Sequence, residues 1–130
     1  MWPIITLLAF ALISIVVVAL GVLRRRKKLS PSQKSRLIRD WHSAIAIQDE
    51  SRRVLEAEKV IDGLFLALGY SGSFGEKLKV IGPRLQNIDA IWRAHKLRNR
   101  IAHETGFIPS ASEVSSSMKA FEQALNYFIR

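Results

Sequence analysis

The chain has 130 residues, which is enough for one small domain and a short additional segment. It contains no cysteine, which excludes disulfide bonds and thiolate metal sites. The formal net charge is +9, but five of the positive charges fall in one run at residues 24–28. The sequence from Pro31 onward is therefore only mildly basic, which permits a nucleic-acid partner without requiring one.

The N-terminal segment is uncharged and almost entirely apolar from Trp2 to Leu23. A run of this length is enough to cross a bilayer, which takes about 20 apolar residues. We therefore predict a transmembrane anchor over residues 1–23. A cleaved signal peptide is the alternative, but no Lys or Arg precedes the run, and the run is long for a signal-peptide core.

A basic juxtamembrane linker follows at residues 24–30. Positive charge next to a membrane span stays on the cytoplasmic side, so the pattern predicts a single-pass protein of the cell membrane with its N-terminus outside and its domain in the cytoplasm. The same side chains are candidates for binding anionic lipid head groups. These are Arg24, Arg25, Arg26, Lys27 and Lys28.

Two amphipathic helices are predicted next. Ser30 can cap the first, with Pro31 at its first position, and Asp49 can cap the second, which extends to about Gly69. Glu58 lies beside the apolar stripe of the second helix, and Asp62 lies one turn further on. Either these carboxylates contact water at the edge of the core, or one of them pairs with Arg98 across it.

Three more helical segments complete the chain. After a Gly- and Ser-rich loop, residues 76–81 predict a short helix, and a longer helix begins near Asn87 and is expected to end at Thr105-Gly106. Ser110 and Glu113 form a capping-box pattern for the last helix. Because no segment alternates as a strand does, we predict an all-α protein. It has a single transmembrane helix followed by a four- to five-helix antiparallel bundle over residues 31–130.

The helix that begins near Asn87 carries an unusual arginine. On a helical wheel Arg98 falls among apolar neighbours, and a guanidinium in that position is costly unless it is paired or binds a ligand. Arg93, Lys96 and Arg100 form a basic stripe on another side, which predicts either contact with an RNA backbone or a solvated face. His95 and Asn99 lie on the same broad face as Arg98.

Arg98, Asn99 and His103 together resemble the signature of the HEPN superfamily (higher eukaryotes and prokaryotes nucleotide-binding). In that signature an Arg is followed by a polar residue, often Asn, and then by a His after four to six intervening residues at a helix end. The resemblance covers roughly residues 30–130. It is nearest to small membrane-anchored HEPN-like proteins of bacteria, in which a string similar to AHKLRNRIAHE follows a Trp.

The resemblance implies a metal-independent endoribonuclease whose active site is composed at a dimer interface, with no cofactor. His103 would act as general acid or base on a ribose 2′-hydroxyl, Arg98 would neutralise the adjacent phosphate, and Asn99 would orient the phosphate or the His ring. Glu58, Asp62 and His95 are possible supporting residues. Other domains similar to HEPN act as binding or dimerisation modules, so a non-catalytic module at the membrane, recruiting a protein partner or RNA, is the alternative.

The spacing between the two key residues sets a geometric condition. Arg98 and His103 are five residues apart, which is about 140° around a straight helix, so they do not share a face. The predicted ribonuclease therefore needs a frayed helix end or a second protomer. If Arg98 instead lies sealed against Glu58 or Asp62, the non-catalytic module is favoured.

Overall fold

A computed structural model of the protein describes residues 1–23 and 27–130, except for the side chains of residues 21–23. Within these residues the chain forms six α-helices and one short 3-10 helix, and no strand, which confirms the predicted all-helical class. The α-helices are α1 (Trp2–Leu23), α2 (Pro31–Ile45), α3 (Glu50–Ala67), α4 (Phe74–Ile81), α5 (Ile88–His103) and α6 (Ala111–Ile129), and the 3-10 helix is Gly82–Arg84.

Helix α1 is the one described helix that is long and apolar enough to cross a membrane. Its Trp2–Leu20 stretch has a mean hydropathy of 2.8, and none of that stretch is buried inside the protein. Beyond it, Lys27 and Lys28 of the predicted basic block are exposed. The other members of that block, Arg24, Arg25 and Arg26, lie outside the described residues.

Three of the helices begin with a capping box, in which a Ser hydroxyl accepts the third helical N–H and the third side chain accepts the Ser N–H. The pairs are Ser30 with Gln33, Ser73 with Glu76 and Ser110 with Glu113. The hydrogen bond from the Ser backbone lowers the pKa of both Glu76 and Glu113 below the ordinary value of 4.5. Because of the second box, α4 begins at Phe74, two residues earlier than predicted.

Helix α3 ends in a glycine-dependent turn. Gly69 has a φ of +95°, the Tyr70 N–H bonds to the Phe65 carbonyl at 3.0 Å, and the Gly69 N–H bonds to the Leu66 carbonyl at 2.9 Å. This is a Schellman motif, and glycine adopts its left-handed conformation without a steric penalty.

The predicted cap of α5 by Gly106 is wrong. The helix ends at His103, and Glu104 is already extended, with φ −91° and ψ 117°. Gly106, with φ +74°, instead belongs to a separate turn closed by a 3.3 Å bond from the Phe107 N–H to the Glu104 carbonyl. A positive φ at the third residue of a turn favours Gly, so the residue type fits this turn instead.

Helix α3 is the centre of the core, because α2, α5 and α6 all pack against it. Burial of large apolar side chains, each contributing about 1.5–3 kcal/mol, is the main stabilising term. Leu29, which precedes α2, is also buried, so the linker is packed on the domain before the helix begins. The largest fully buried side chains are Phe65, Phe121, Ile61, Leu64, Leu78, Ile81, Ile91 and Val54.

Candidate functional site

A buried carboxylate in the middle of α3 is the centre of the candidate site. Glu58 is only 5% exposed, and a carboxylate in such a position needs charged or hydrogen-bonding partners. Both partners come from α5. His95 Nδ1 lies 2.9 Å from Glu58 Oε2, and Arg98 Nε lies 3.2 Å from Glu58 Oε1. The two partners are three residues apart, which places them on one face of α5.

Asn99 connects the two partners of Glu58 to each other. Its Nδ2 lies 3.3 Å from His95 Nε2, and Arg98 donates to its Oδ1 at 3.4 Å. If Glu58 accepts from Nδ1–H of His95 and the Asn99 amide donates to Nε2, both ring nitrogens of His95 have a matched partner. We call Glu58, His95, Arg98 and Asn99 the α3–α5 polar cluster.

Aromatic rings fix the orientation of the histidine in this cluster. The Phe74 ring centroid lies 4.9 Å from that of His95, and the Trp92 ring meets His95 edge-on at 5.9 Å. The His95 side chain is only 16% exposed. The ring therefore lies at the boundary of the core.

Arg98 is held mainly by charge. Its Nε is fully buried and, despite lying 3.2 Å from Glu58, has no acceptor at a hydrogen-bonding angle among the described residues. The N···O distance of 3.2 Å still allows a Coulombic attraction between the two charges. The side chain as a whole is 29% exposed, so Arg98 is paired but not sealed.

The polar cluster opens onto a cleft of about 420 Å³ between α3, α5 and the start of α4. Arg98 and Asn99 form one wall, and Ser73 and Phe74 form another. The exposed part of Arg98 therefore faces a space that is large enough for a small anionic group. Within the described parts of the chain no three His, Asp or Glu side chains are arranged to hold a metal ion.

Asp62, the second predicted partner of Arg98, is engaged elsewhere. Its Oδ1 lies 2.8 Å from Nζ of Lys77, whose side chain is only 5% exposed. Sequence reasoning missed Lys77, although Phe74, Leu78 and Ile81 place it on the buried stripe of α4. A lysine at a core position of an amphipathic helix predicts a carboxylate partner on a neighbouring helix.

His103 does not lie in the cleft. It is the last residue of α5 and is exposed, and its ring makes no hydrogen bond within the described residues. It follows Arg98 by five residues along the same helix, which is a rise of about 7.5 Å. Within one protomer the structure therefore places Arg98, Asn99 and His95 together and leaves His103 apart.

The basic stripe of α5 lies along a groove of about 480 Å³ against α6. Arg93, Lys96 and Arg100 are all exposed, and the α6 side of the groove carries Ser112 and Ser116. These features agree with either of the two predicted roles, contact with RNA or solvation.

Arg100 is the most constrained member of the stripe. It lies 3.4 Å from Glu104 and 3.6 Å from Glu113, and its guanidinium stacks 4.0 Å from the Phe107 ring centroid. Part of its charge is therefore already balanced within the protein.

Comparison of the chain with known protein families, with characterised proteins and with solved structures found no match.

Proposed function

We propose that this chain is a membrane-anchored HEPN-like protein. In this proposal α1 spans the cell membrane with the N-terminus outside, and the helices from α2 onward form a cytoplasmic domain. The length and hydropathy of α1 support the span. The run of positive charge at residues 24–28 supports the orientation.

The proposed bundle is antiparallel and HEPN-like. Contacts at the two ends of α5 and α6 support this arrangement. Asn87, which precedes α5, donates to the Gln123 side chain late in α6 at 3.1 Å, whereas Arg100 near the end of α5 lies 3.6 Å from Glu113 at the start of α6. Both contacts support an antiparallel pairing of α5 with α6.

The proposed activity is metal-independent cleavage of single-stranded RNA at a site composed by two protomers. The observation that carries it is the contrast between Arg98 and His103. Glu58 holds Arg98 at the edge of an open cleft, whereas His103 is exposed at the end of the same helix and makes no hydrogen bond to any described residue. One protomer would supply Arg98 and its partner subunit the histidine. Arg98 would hold the phosphate, and the histidine would transfer the proton of the attacking 2′-hydroxyl.

The proton transfer accounts for the chemistry of the product. Removal of the 2′-hydroxyl proton lets that oxygen attack the adjacent phosphorus, and the 5′-oxygen of the next nucleotide leaves with a proton. The chain then ends in a 2′,3′-cyclic phosphate. The Arg98 guanidinium stabilises the charge that develops on the non-bridging oxygens.

A second candidate is a non-catalytic dimerisation or partner-binding module tethered to the membrane. One observation favours it. Arg98 already has a buried counter-ion in Glu58, which reduces its attraction for a phosphate and is sufficient to explain an Arg at a core position.

The first test is an RNA cleavage assay with the full chain in detergent micelles, in the presence of EDTA. Variants Arg98→Ala and His103→Ala are compared with His42→Ala, which removes an exposed histidine from α2. We expect cyclic-phosphate ends from the wild type and from His42→Ala, and a loss of about a hundredfold or more in both motif variants. Cleavage by neither the wild type nor the control, in protein that is folded and dimeric, would favour the non-catalytic module.

A further inference from the structure

The linker between α1 and α2 is short, and its second half is packed on the domain. Leu29 is only 9% exposed and belongs to the core. The aliphatic part of Lys27 lies against Gly69, where an added Cβ would be 3.2 Å from Lys27 Cδ. A chain extends at most about 3.6 Å per residue. Whatever its path, the backbone of Lys27 therefore lies within about 14 Å of Leu23, the last residue of α1.

The 3-10 helix and the end of α6 lie at the same end of the domain. Arg84 of the 3-10 helix donates to the Tyr70 hydroxyl at 2.9 Å, directly after Gly69, and its guanidinium lies 4.9 Å from the Phe128 ring near the end of α6. The 3-10 helix and the last turn of α6 are thereby placed beside the Lys27–Gly69 contact. We call this part of the domain the tether end.

The tether end is basic, and its exposed side chains include apolar and aromatic groups. Val80 is 66% exposed and Tyr127 is 52% exposed. The segments around these contacts are residues 27–34, 69–73, 79–89 and 126–130, and together they contain a single acid, Asp89. Their basic residues are Lys27, Lys28, Lys34, Lys79, Arg84 and Arg130.

The opposite end of the domain lacks this excess of positive charge. Residues 42–53 and 100–113 connect α2 to α3 and α5 to α6, and their acids outnumber their Lys and Arg. The acids are Asp49, Glu50, Glu104 and Glu113, against Arg52, Arg53 and Arg100.

This asymmetry fits one partner, the anionic surface of a bilayer. Each Lys or Arg near such a surface strengthens binding by about fivefold, and the attraction acts over a Debye length of about 8 Å at physiological salt. One head-group layer is roughly 5–8 Å thick, so a tether of about 14 Å allows direct contact. Exposed Tyr side chains are also favoured at the membrane interface.

We propose that the tether end of the folded domain lies on the anionic surface of the membrane that α1 spans. The inference rests on the proposed anchoring of α1 but not on the proposed ribonuclease activity. Helix α5 starts beside the tether end, because Ile88 is next to Gly82, and its 16 residues extend about 22 Å away. Docking therefore directs His103, at the far end of α5, away from the bilayer and toward the aqueous phase.

Because the sequence contains no cysteine, a single introduced cysteine can be labelled with a fluorophore without first removing any native cysteine. The full chain is reconstituted into vesicles of phosphatidylcholine, with or without phosphatidylglycerol, that contain a head-group quencher. Two variants are prepared, each with one fluorophore. The first carries it at Asn126→Cys, an exposed position at the tether end, and the second at Ile108→Cys, where the native side chain is 84% exposed near the opposite end. In the anionic vesicles we expect quenching at position 126 to exceed quenching at position 108 several-fold.

A pair of charge reversals tests the role of the basic side chains. Lys79→Glu with Arg130→Glu should reduce quenching at position 126 in anionic vesicles to the level seen in phosphatidylcholine alone. The matched control is Arg39→Glu with Arg52→Glu, which changes net charge equally at exposed positions away from the tether end and should leave quenching unchanged.

Three results would overturn the proposal in distinguishable ways. Equal quenching at positions 126 and 108, in a chain that resists alkaline carbonate extraction, would mean that the domain is anchored but not docked. Strong quenching at position 126 that is independent of anionic lipid and of charge reversal would contradict docking by charge. Extraction of the chain by carbonate would refute the anchor and the docking together, while the ribonuclease assay in micelles would stand.

Discussion

At the scale of single residues, the buried carboxylate of Glu58 explains why an arginine occupies a core-facing position of α5. Breaking a buried ion pair by removing one partner costs about 3–5 kcal/mol, but Arg98 is 29% exposed, and water compensates part of the loss. We therefore predict that Glu58→Gln lowers the free energy of unfolding by roughly 2 kcal/mol. Replacing both partners, as in Glu58→Leu with Arg98→Leu, should cost much less than the sum of the single changes.

The measurement is urea unfolding of the full chain in detergent micelles, analysed as a double-mutant cycle. The matched control is Glu56→Gln. It removes a carboxylate from the same helix, and the ion pair of Glu56 with Lys59 is more exposed than that of Glu58 with Arg98. Additive effects of the Glu58 and Arg98 changes would show that the two side chains are not coupled.

The two histidines of α5 are predicted to differ in their effect on stability. His95 is packed between aromatic rings and bonded to Glu58, so His95→Ala should destabilise the domain by about 1–3 kcal/mol. His103 is exposed and unbonded among the described residues, so His103→Ala should change stability by less than about 0.5 kcal/mol. Thermal melting of both variants checks this, and a large loss in His103→Ala would mean that its ring has a structural partner in the folded protein.

At the scale of elements, the capping boxes predict a dependence of stability on pH. The pKa values of Glu76 and Glu113 are lowered in the folded state by hydrogen bonds from the Ser73 and Ser110 backbones. Their contribution is therefore present above the ordinary pKa of 4.5 and is lost as pH falls from there through the lowered values.

The measurement is the melting temperature as a function of pH for the wild type and for Glu76→Gln with Glu113→Gln. Glutamine keeps the acceptor, as Gln33 does in the box that begins α2, but does not titrate. We expect the wild type to lose more stability than the double variant as pH falls below 4.5. Parallel pH profiles would contradict the assignment.

Two glycines of the α3 region give a second prediction at this scale. Gly69 has φ +95° and its Cβ position meets Lys27, so Gly69→Ala should destabilise the domain by about 1–2 kcal/mol. Gly63 lies inside α3, and apart from its chain neighbours and the local helix backbone no atom of the described residues lies within 4 Å of its Cβ position, so Gly63→Ala should stabilise the domain by about 0.5–1 kcal/mol. Chemical unfolding of the two variants measures both effects, and the same sign for both would contradict the conformations described.

The sequence predicted the helices well where their signals are local. Ser30 and Asp49 cap α2 and α3 as predicted, because a cap depends on residues within one turn. Gly106 was misassigned because a glycine shortly after a helix suits either a helix cap or a separate turn, and neighbouring residue types do not distinguish the two.

The candidate site was predicted only in part, because its pairing depends on how the helices pack. The position of Arg98 on the wheel indicated that it needed a partner, but Glu58 and Asp62 are one turn apart on the same helix. Lys77 on α4 takes Asp62, and His95 shares Glu58 with Arg98. Neither choice is determined by the local sequence, since each depends on a contact between helices.

At the scale of the whole molecule, the site, the tether and the proposed dimer are related. Arg98 and His103 are separated on one α5 helix, so the ribonuclease proposal requires a second protomer, and the anchor would keep two protomers in one plane. Docking of the tether end would orient their α5 helices alike. Two exposed His103 residues would then be available to neighbouring protomers at the same height above the bilayer.

The most direct test of a composite site is complementation between inactive variants of the full chain. Arg98→Ala and His103→Ala are each assayed alone on single-stranded RNA with EDTA, and then after mixing and exchange of subunits in detergent micelles. Random exchange gives mixed dimers in about half of the population, each with one intact site. The account predicts that each variant alone is inactive and that the mixture recovers about a quarter of wild-type activity. A mixture that forms dimers but stays inactive, beside a wild type that cleaves, would contradict the composite site.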